Sequence, residues 1–357
     1  MGEGNATSRG LTIGIDVGDR VSRLCVLGAD GEILGRARVA TERRAMGEQL
    51  RQYPPSLVVI EAGTHSPWLS RLAAEAGHEV LVANPRHLRF IYASLDKSDP
   101  VDAESLARVG RLDPRLLRPI QHRSAQHQAD RALLRAREAL VRTRTLLVNH
   151  VRSTLKAFGE RVPACASEVF PKRARGVVPG ELHEALTPLL ALLEDLTRQI
   201  RAYDRQIEHW CATKYPETRL LRPVAGVGPV TALTYVLSLE DPARFPSSRS
   251  VGSYLGLRPR RDQSGGRDPQ LPITKAGDPS LRVLLVQSAQ YILGPFGPDS
   301  DLRRFGMRLM ERGGAAAKKR AIIAVARKLA VLLHRLWRTG EVYDPLRNAS
   351  RHQSEAA

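Results

Sequence analysis

The sequence contains little cysteine. Only three cysteines, Cys25, Cys165 and Cys211, occur among 357 residues, and no two of them form a C-x-x-C pair. A disulfide framework and a zinc site built from cysteine pairs are therefore not expected. A metal ion bound to this chain would need oxygen ligands, which select hard cations such as Mg²⁺ or Mn²⁺.

Long apolar runs are also missing. No stretch approaches the roughly 20 apolar residues of a transmembrane helix, and the first ten residues lack the apolar segment of a signal peptide. With 42% hydrophobic and 26% charged residues, the composition is that of a soluble globular protein. We expect a cytoplasmic protein with two or three domains.

Acidic residues are fewer than basic residues. The chain has 37 Asp and Glu residues against 55 Lys and Arg residues, which gives a formal net charge of +18. An excess of this size raises the local concentration of polyanions. The charge therefore indicates a nucleic acid as partner and argues against a small-metabolite kinase.

The N-terminal part alternates between short apolar runs and helical segments. Strand patterns cover residues 11–18, two runs joined by a turn at Asp30-Gly31, residues 56–63 and residues 78–85. An Asp-Gly pair between apolar runs is typical of a hairpin. Three strands that can pair antiparallel, followed by alternating helices and strands, predict an RNase H-like α/β domain at residues 11–115.

Two long helices are predicted after this domain. Leu133, Leu140 and Leu147 recur every seven residues, and a second leucine-rich stripe runs from about residue 181 to residue 210. This spacing is typical of a coiled-coil seam, so residues 120–215 are predicted to form an antiparallel helical coiled-coil hairpin. The same stripes would also fit helices that are packed into an ordinary core.

Residues 216–345 are predicted to form a mainly α-helical C-terminal domain, followed by a disordered tail at residues 346–357. Gly226 and Gly228 lie in a turn before an apolar helix, a pattern similar to a helix-hairpin-helix element. Backbone N–H groups in such a turn can bind a phosphate, although a plain glycine turn gives the same pattern. We predict nucleic-acid contacts from the two glycines and from basic residues downstream, namely Arg258, Arg260, Arg261, Lys275 and Arg282.

Four acids lie at strand ends or at the start of a helix. Asp16 closes the first strand and Glu61 closes the strand after the first helix, where side chains face the crevice beyond the sheet. Asp99 and Asp102 share one helix face. If that helix packs over the sheet edge, four carboxylates converge and need a cation, Mg²⁺ or Mn²⁺. The alternative is a helix start, with Asp99 as N-cap, Pro100 at the first position and Asp102 completing a capping box.

The segment IGIDVG is also similar to the first phosphate loop of actin-like ATPases and sugar kinases, which share this sheet. Those proteins need a second phosphate loop and a glycine-rich adenosine site, and neither pattern occurs in this sequence. An actin-like-fold kinase is therefore the weaker alternative.

Three short motifs carry a family resemblance: GIDVG with Asp16, VVIEAG with Glu61, and DKSDPVDAESLA with Asp99 and Asp102. They resemble the DEDD (RuvC-like) domain of a family of insertion-sequence transposases that is related to the Piv DNA invertases. Residues 223–289 are similar to the C-terminal transposase domain of that family. The resemblance keeps the family's order of motifs and covers most of residues 11–340.

The resemblance implies a DNA recombinase that is guided by a structured RNA from its insertion sequence. Asp16, Glu61, Asp99 and Asp102 would be its catalytic metal ligands, and Ser264 of the QSGG motif would attack DNA and form a phosphoserine link. Together with the leucine stripes, it predicts a homo-oligomer, a dimer or a tetramer, in which Ser264 of one chain meets the carboxylates of another.

Two other functions stay open at this point. A metal-dependent, structure-specific DNA nuclease of the RuvC-like fold would hydrolyse DNA with water and would need no serine. A non-catalytic nucleic-acid scaffold would use the four acids only as helix caps. A covalent protein–DNA adduct separates the recombinase from the nuclease, and metal-dependent strand cleavage excludes the scaffold.

Overall fold

The chain divides into two compact units, Met1–Ser124 and Ala125–Ala357. A computed structural model of the protein describes residues 10–88, 99–264, 266–267, 269, 271–311 and 313–348. The two long helices belong to the same unit as the C-terminal region. Domain boundaries at residues 115, 215 and 345 stay a prediction.

The N-terminal unit is built on a mixed sheet of five strands in the order β3-β2-β1-β4-β5. Strands β1, β2 and β3 pair antiparallel, whereas β4 pairs parallel with β1 and β5 pairs parallel with β4. This arrangement confirms the predicted RNase H-like α/β unit. The strands are β1 (Thr12–Asp16), β2 (Val21–Leu27), β3 (Ile33–Ala40), β4 (Leu57–Glu61) and β5 (Glu79–Ala83), and the helices are α1 (Arg43–Leu50), α2 (Ser66–Glu75) and α3 (Asp99–Leu112).

The sheet has a core on each face, because successive side chains of a strand point to opposite sides. Ile13 and Ile15 of β1 pack with Val58 and Ile60 of β4 and with the core residues of α1 and α2. The opposite face belongs to α3. There, the buried residues include Cys25, Leu27, Ala103 and Ala107 in one cluster, and Leu57, Val59, Ala83, Leu88, Leu106 and Leu117 in another.

Helix α3 crosses β1 at a glycine. A Cβ atom on Gly14 would lie 2.0 Å from the backbone oxygen of Ala103 and 2.9 Å from Cβ of Ala107. A Cβ atom on Gly110, near the other end of the helix, would lie 2.5 Å from a methyl carbon of Val59. Two glycines, one on the strand and one on the helix, therefore let the backbones approach closely.

This packing leads to a prediction about stability. We expect Gly14→Ala to lower the free energy of unfolding of the N-terminal unit by about 3 kcal/mol, because the new methyl group forces α3 away from the sheet. Gly35→Ala on β3 is the matched control, since nothing lies within 4 Å of its added Cβ. Urea titration followed by circular dichroism measures both variants. Equal midpoints for the two would contradict the close approach of α3 to β1.

The C-terminal unit is helical. Its helices in the described ranges are α4 (Ala125–Ala157), α5 (Phe170–Arg175), α6 (His183–Thr213), α7 (Thr218–Leu221), α8 (Pro229–Leu239), α9 (Ser248–Tyr254), α10 (Pro279–Leu293), α11 (Asp301–Met310) and α12 (Ala315–Thr339). Helix α8 is buried continuously from Thr231 to Leu239. It therefore forms the centre of a core to which α10 and α12 contribute.

The two long helices, α4 and α6, form an antiparallel pair. Val151 and Leu155 near the end of α4 share a core with Leu186 near the start of α6. At the opposite end, Leu134 and Ile207 join the core of the C-terminal region. The apolar stripes of the two helices are thus buried within the same chain at both ends of the pair, in a shared core at one end and in the core of the C-terminal region at the other.

Some segments differ from the predicted pattern or lie beyond it. Helices α5, α7, α9 and α11 were not predicted. The predicted disordered tail falls mainly on residues 349–357, which lie outside the described residues, whereas the backbone N–H of Asn348 donates to a side-chain oxygen of Asp301 at 2.9 Å. In the described ranges, no helix is both long enough and apolar enough to span a bilayer.

Candidate active site

Asp16 and Glu61 end two neighbouring parallel strands. The register pairs Gly14 with Val59 and Ile15 with Ile60, so Asp16 and Glu61 occupy the next pair of positions. Paired residues of parallel strands point to the same face, and Val59 of this set contacts α3. Both carboxylates therefore lie on the face that α3 covers, at the sheet edge where β1 and β4 end. We call this edge the carboxyl edge.

Helix α3 brings Asp102 to the carboxyl edge. The helix runs antiparallel to β1, because Ala103 lies at Gly14 whereas Arg111 donates a hydrogen bond to the backbone oxygen of Gly10 at 3.4 Å. Its N-terminal turns therefore face the end of β1 that carries Asp16. Asp102 is only 9% exposed.

The fourth predicted ligand, Asp99, begins α3, but its side chain lies outside the described residues. Within the part of the chain that the structure describes, no three Asp, Glu, His or Cys side chains form a group that could hold a metal ion. The strand register and the direction of α3 nevertheless place Asp16, Glu61 and Asp102 at one edge and on one face of the sheet. Their joint role as ligands, together with Asp99, stays a prediction.

An ionic network fixes α3 against the β2–β3 hairpin. Glu104 accepts hydrogen bonds from Arg108 at 2.8 Å and from Arg36 at 2.6 Å. The bond from Arg108, followed by the one from Arg36, lowers the pKa of Glu104 below its ordinary value despite the opposing effect of burial. Glu104 therefore stays ionised at neutral pH and holds the helix that carries Asp102.

The loops that follow β1 and β4 meet beside this edge. His65 Nε2 lies 3.3 Å from the carboxylate of Asp19, and the Ser66 hydroxyl lies 2.9 Å from His122 Nε2. Burial lowers the pKa of His122, so this imidazole is neutral near pH 7. The loop after Glu61 is thereby tied both to the loop after Asp16 and to the end of the N-terminal unit.

Two arginines on this face were missed by sequence reasoning. The antiparallel register places Arg23 of β2 opposite Asp16 and Arg38 of β3 opposite Arg23. Directly opposite residues have Cβ atoms about 5 Å apart and point to the same face. A register count outward from the Asp30-Gly31 turn would not have found the Arg23–Arg38 pair, because the register shifts by one residue between Val26 and Leu27.

Ser264 lies on a two-stranded ribbon of the C-terminal unit, formed by the described residues between 256 and 275, which we call the serine ribbon. Its two sides are joined by hydrogen bonds from Arg260 N to Pro272 O at 3.0 Å and from Thr274 N to Arg258 O at 2.9 Å. Ser264 is exposed, and its carbonyl accepts from the N–H of Arg267 at 3.2 Å. The hydroxyl is therefore displayed at the far end of the ribbon.

The base of the serine ribbon is tightly packed. Gly256 and Gly277 have positive φ angles of 67° and 66°, and a Cβ on either would lie within 2.2 Å of backbone atoms. Arg282 Nη1 donates to the carbonyls of Leu255 at 3.1 Å and Ala276 at 2.7 Å. Arg282, predicted as a nucleic-acid contact, thus also anchors the ribbon.

Asp278, which follows the base of the serine ribbon, forms a buried ion pair with Arg131. Asp278 caps α10 by accepting from the N–H of Ser280 at 2.9 Å, and its other oxygen pairs with Arg131 of α4. Arg131 also donates to the hydroxyl of Ser238 at 2.8 Å. The long helix α4 and the start of α10 are therefore held together beneath the ribbon.

The glycine turn before α8 has a packing role. Gly226 has φ of 77°, its carbonyl accepts from the Ser288 hydroxyl at 2.7 Å, and an added Cβ would lie 2.9 Å from Ser288 O. Gly228 is the N-cap of α8 and has open space at its Cβ position. Nucleic-acid contact by these glycines stays a prediction, as it does for the exposed basic residues of the ribbon, Arg258, Arg260, Arg261 and Lys275.

A family model for a DEDD domain of IS110 type, described as "Transposase", matches residues 13–159, and one described as "Transposase IS116/IS110/IS902 family" matches residues 218–301. A "Probable family 20 transposase" from Pseudomonas aeruginosa is 30% identical over 341 residues, which cover 93% of this chain and 98% of that protein. The chain belongs to the IS110 family of transposases.

This IS110-family protein is therefore an enzyme, a transposase of the DEDD type. The transposase for insertion sequence element IS1328 from Yersinia enterocolitica is 32% identical to it over 286 residues, 78% of this chain and 82% of the relative. The "Pilin gene-inverting protein" of Moraxella bovis is 27% identical over 293 residues, 81% of each chain. The resemblance drawn from the short motifs is confirmed.

Proposed function

We propose that this transposase cuts and rejoins DNA at the ends of its insertion sequence through a serine–phosphodiester intermediate. The observation that supports the site is the placement of Asp16, Glu61 and Asp102 at one edge and on one face of the sheet. Asp99, one turn before Asp102 on α3, completes the proposed set of four catalytic carboxylates.

The donor set fits Mg²⁺ or Mn²⁺. All four proposed ligands are carboxylates, and hard divalent cations prefer oxygen ligands. A buried carboxylate such as Asp102 is characteristic of a paired or metal-binding group. When bound, the ion would supply Lewis-acid polarisation of the scissile phosphodiester. The protein contributes a rigid frame, because the Glu104 network and the Gly14 contact fix α3 on the sheet.

Ser264 is the proposed nucleophile. In the proposed step its hydroxyl oxygen forms a bond to phosphorus, the bond from phosphorus to a deoxyribose oxygen breaks, and the serine proton ends on the released hydroxyl. Its exposed position beside Gly266 leaves room for a backbone phosphate. Arg260, Arg261 and Arg267 are exposed on the same ribbon and would offset the negative charge of the DNA.

The finer assignments complete the proposal. DNA at the element ends and at the target site would be the substrate, and a structured guide RNA from the element would direct the choice of sites. We further propose that the protein acts as a homo-oligomer, that α4 and α6 form a coiled-coil hairpin, and that the turn at Gly226 and Gly228 acts as a helix-hairpin-helix-like element. The net charge of +18 supports the nucleic-acid partners.

A recombination assay in cells tests this proposal against hydrolysis. The gene would be expressed beside a plasmid that carries its flanking element ends, and junctions would be amplified and sequenced. We expect DNA in which the element ends are rejoined without loss of nucleotides. Broken ends alone, with no rejoined junction, would instead support a metal-dependent, structure-specific nuclease.

A further inference from the structure

A cavity of about 430 Å³ opens at the tip of the helical hairpin. Its volume lies within the range of about 300–1,000 Å³ that is typical of ligand pockets, which is more room than a single small ion needs. We call it the tip pocket. It is lined by the last turns of α4 and by the loop that follows, through Arg152, Lys156, Arg161, Val162, Ala164 and Cys165.

The lining of the tip pocket is cationic. Three of its residues carry a positive charge, and of the described residues that line it none is acidic. Lys156 and Arg161 are exposed at its mouth. The nearby carboxylate of Glu168 is engaged elsewhere, because it pairs with Arg144 at 3.1 Å. The pocket therefore attracts an anion.

Arg152 is positioned by an aromatic ring and has one N–H group without an acceptor among the described residues. The carbon of its guanidinium group lies 5.1 Å from the centroid of the Phe170 ring, and Phe170 is fully buried. Nε of Arg152 is buried, and no described residue offers it a hydrogen-bond acceptor. A buried donor without an acceptor is destabilising, and an anionic oxygen at this position would satisfy it.

The wall opposite α4 is also fixed. Arg173 of α5 donates to the carbonyl of Ala164 at 3.2 Å, so the loop that carries Arg161 and Cys165 is tied to a helix whose Phe170 supports Arg152. Pre-positioned guanidinium groups suit phosphate because its oxygens accept two hydrogen bonds from each group.

We propose that the tip pocket binds a phosphate group of a nucleic-acid strand, with Arg152, Lys156 and Arg161 as its ligands. The volume accommodates a nucleotide attached to that phosphate, and the net charge of +18 favours a polyanion over free phosphate. The inference rests on the proposed action on nucleic acid, but it concerns a site remote in the sequence from the catalytic residues.

Cys165 provides a direct reporter for this site. It lines the pocket and is partly exposed, whereas Cys25 and Cys211 are buried. The rate of its alkylation by iodoacetamide would be followed by mass spectrometry on the full chain, alone and with inorganic phosphate, a DNA oligonucleotide or an RNA oligonucleotide. We expect an oligonucleotide to slow alkylation at least about tenfold at concentrations where inorganic phosphate has no effect.

Charge-removing variants decide whether the protection arises in the pocket. Lys156→Gln/Arg161→Gln changes exposed residues only, and we expect it to abolish protection of Cys165 and to lower the slope of log affinity against log salt for duplex DNA by about 1.8. Arg135→Gln/Arg201→Gln removes the same charge from exposed positions elsewhere on α4 and α6 and should keep the protection.

Three results would overturn the proposal: no protection by either oligonucleotide, equal protection by inorganic phosphate, or protection that survives in Lys156→Gln/Arg161→Gln. The comparison between DNA and RNA identifies which strand occupies the pocket. The catalytic proposal is tested separately. An oligonucleotide should slow the alkylation of Cys165 in Glu61→Gln as much as it does in the unaltered protein.

Discussion

Asp102→Asn and Glu61→Gln are each expected to reduce formation of rejoined junctions by roughly 10³-fold or more. Each change keeps the shape of the side chain but removes the negative charge that the proposed divalent cation requires. Like charges at the carboxyl edge repel one another in the metal-free protein. The melting temperature should therefore stay the same or rise in both variants.

The control for this prediction is Glu79→Gln. Glu79 begins β5, at the opposite edge of the same sheet, and is exposed. The Glu79→Gln variant should form rejoined junctions as efficiently as the unaltered protein, as measured by quantitative amplification of junctions. Activity of Glu61→Gln within tenfold of that of Glu79→Gln, with Mg²⁺ present, would remove Glu61 from the proposed ligand set.

Ser264→Ala is expected to abolish recombination, with a loss of roughly 10⁴-fold or more, because no other group replaces a covalent nucleophile. The side chain is small and exposed, so folding and DNA binding should be unchanged. Ser253→Ala, on an exposed position of α9, is the matched control. Gel-shift titration and junction amplification measure the two properties. Retained recombination in Ser264→Ala would mean that water or another residue attacks the DNA.

The long elements could be predicted because their patterns repeat over many residues. The first long helix was expected within residues 120–215, and α4 occupies Ala125–Ala157 in that range. Helix α7 has four residues and α9 has seven, which is too short to display an apolar stripe. Helix α11 was missed because Gly306 interrupts its pattern, although this glycine is needed where a Cβ would lie 2.5 Å from Leu293.

The seven-residue leucine repeat of α4 predicted a buried apolar stripe. It could not identify which helix packs against that stripe. Leu147 packs into the core that α4 shares with α6 of the same chain. A partner helix from another subunit is therefore not needed at this position. The sequence could not show this, because a leucine stripe looks the same whether it packs within one chain or between two chains. The homo-oligomer stays a prediction that rests on other grounds.

The candidate site was predictable where it depends on strand ends and not where it depends on distant contacts. Asp16 and Glu61 were identified because each ends an apolar strand. The pairing of Arg131 with Asp278 joins residues 147 positions apart, and no local pattern indicates it. Arg131 is only 6% exposed, although nothing in the neighbouring sequence distinguishes it from the exposed arginines of the same helix.

The most direct test of the central claim is the chemical identity of the protein–DNA link. The protein would be incubated with its element-end DNA and Mg²⁺, denatured and digested, and any peptide attached to nucleotides would be sequenced by mass spectrometry. We predict one linked peptide, modified by a phosphodiester on Ser264 and missing in Ser264→Ala. DNA cleavage without a linked peptide, or a link at any other residue, would contradict the account.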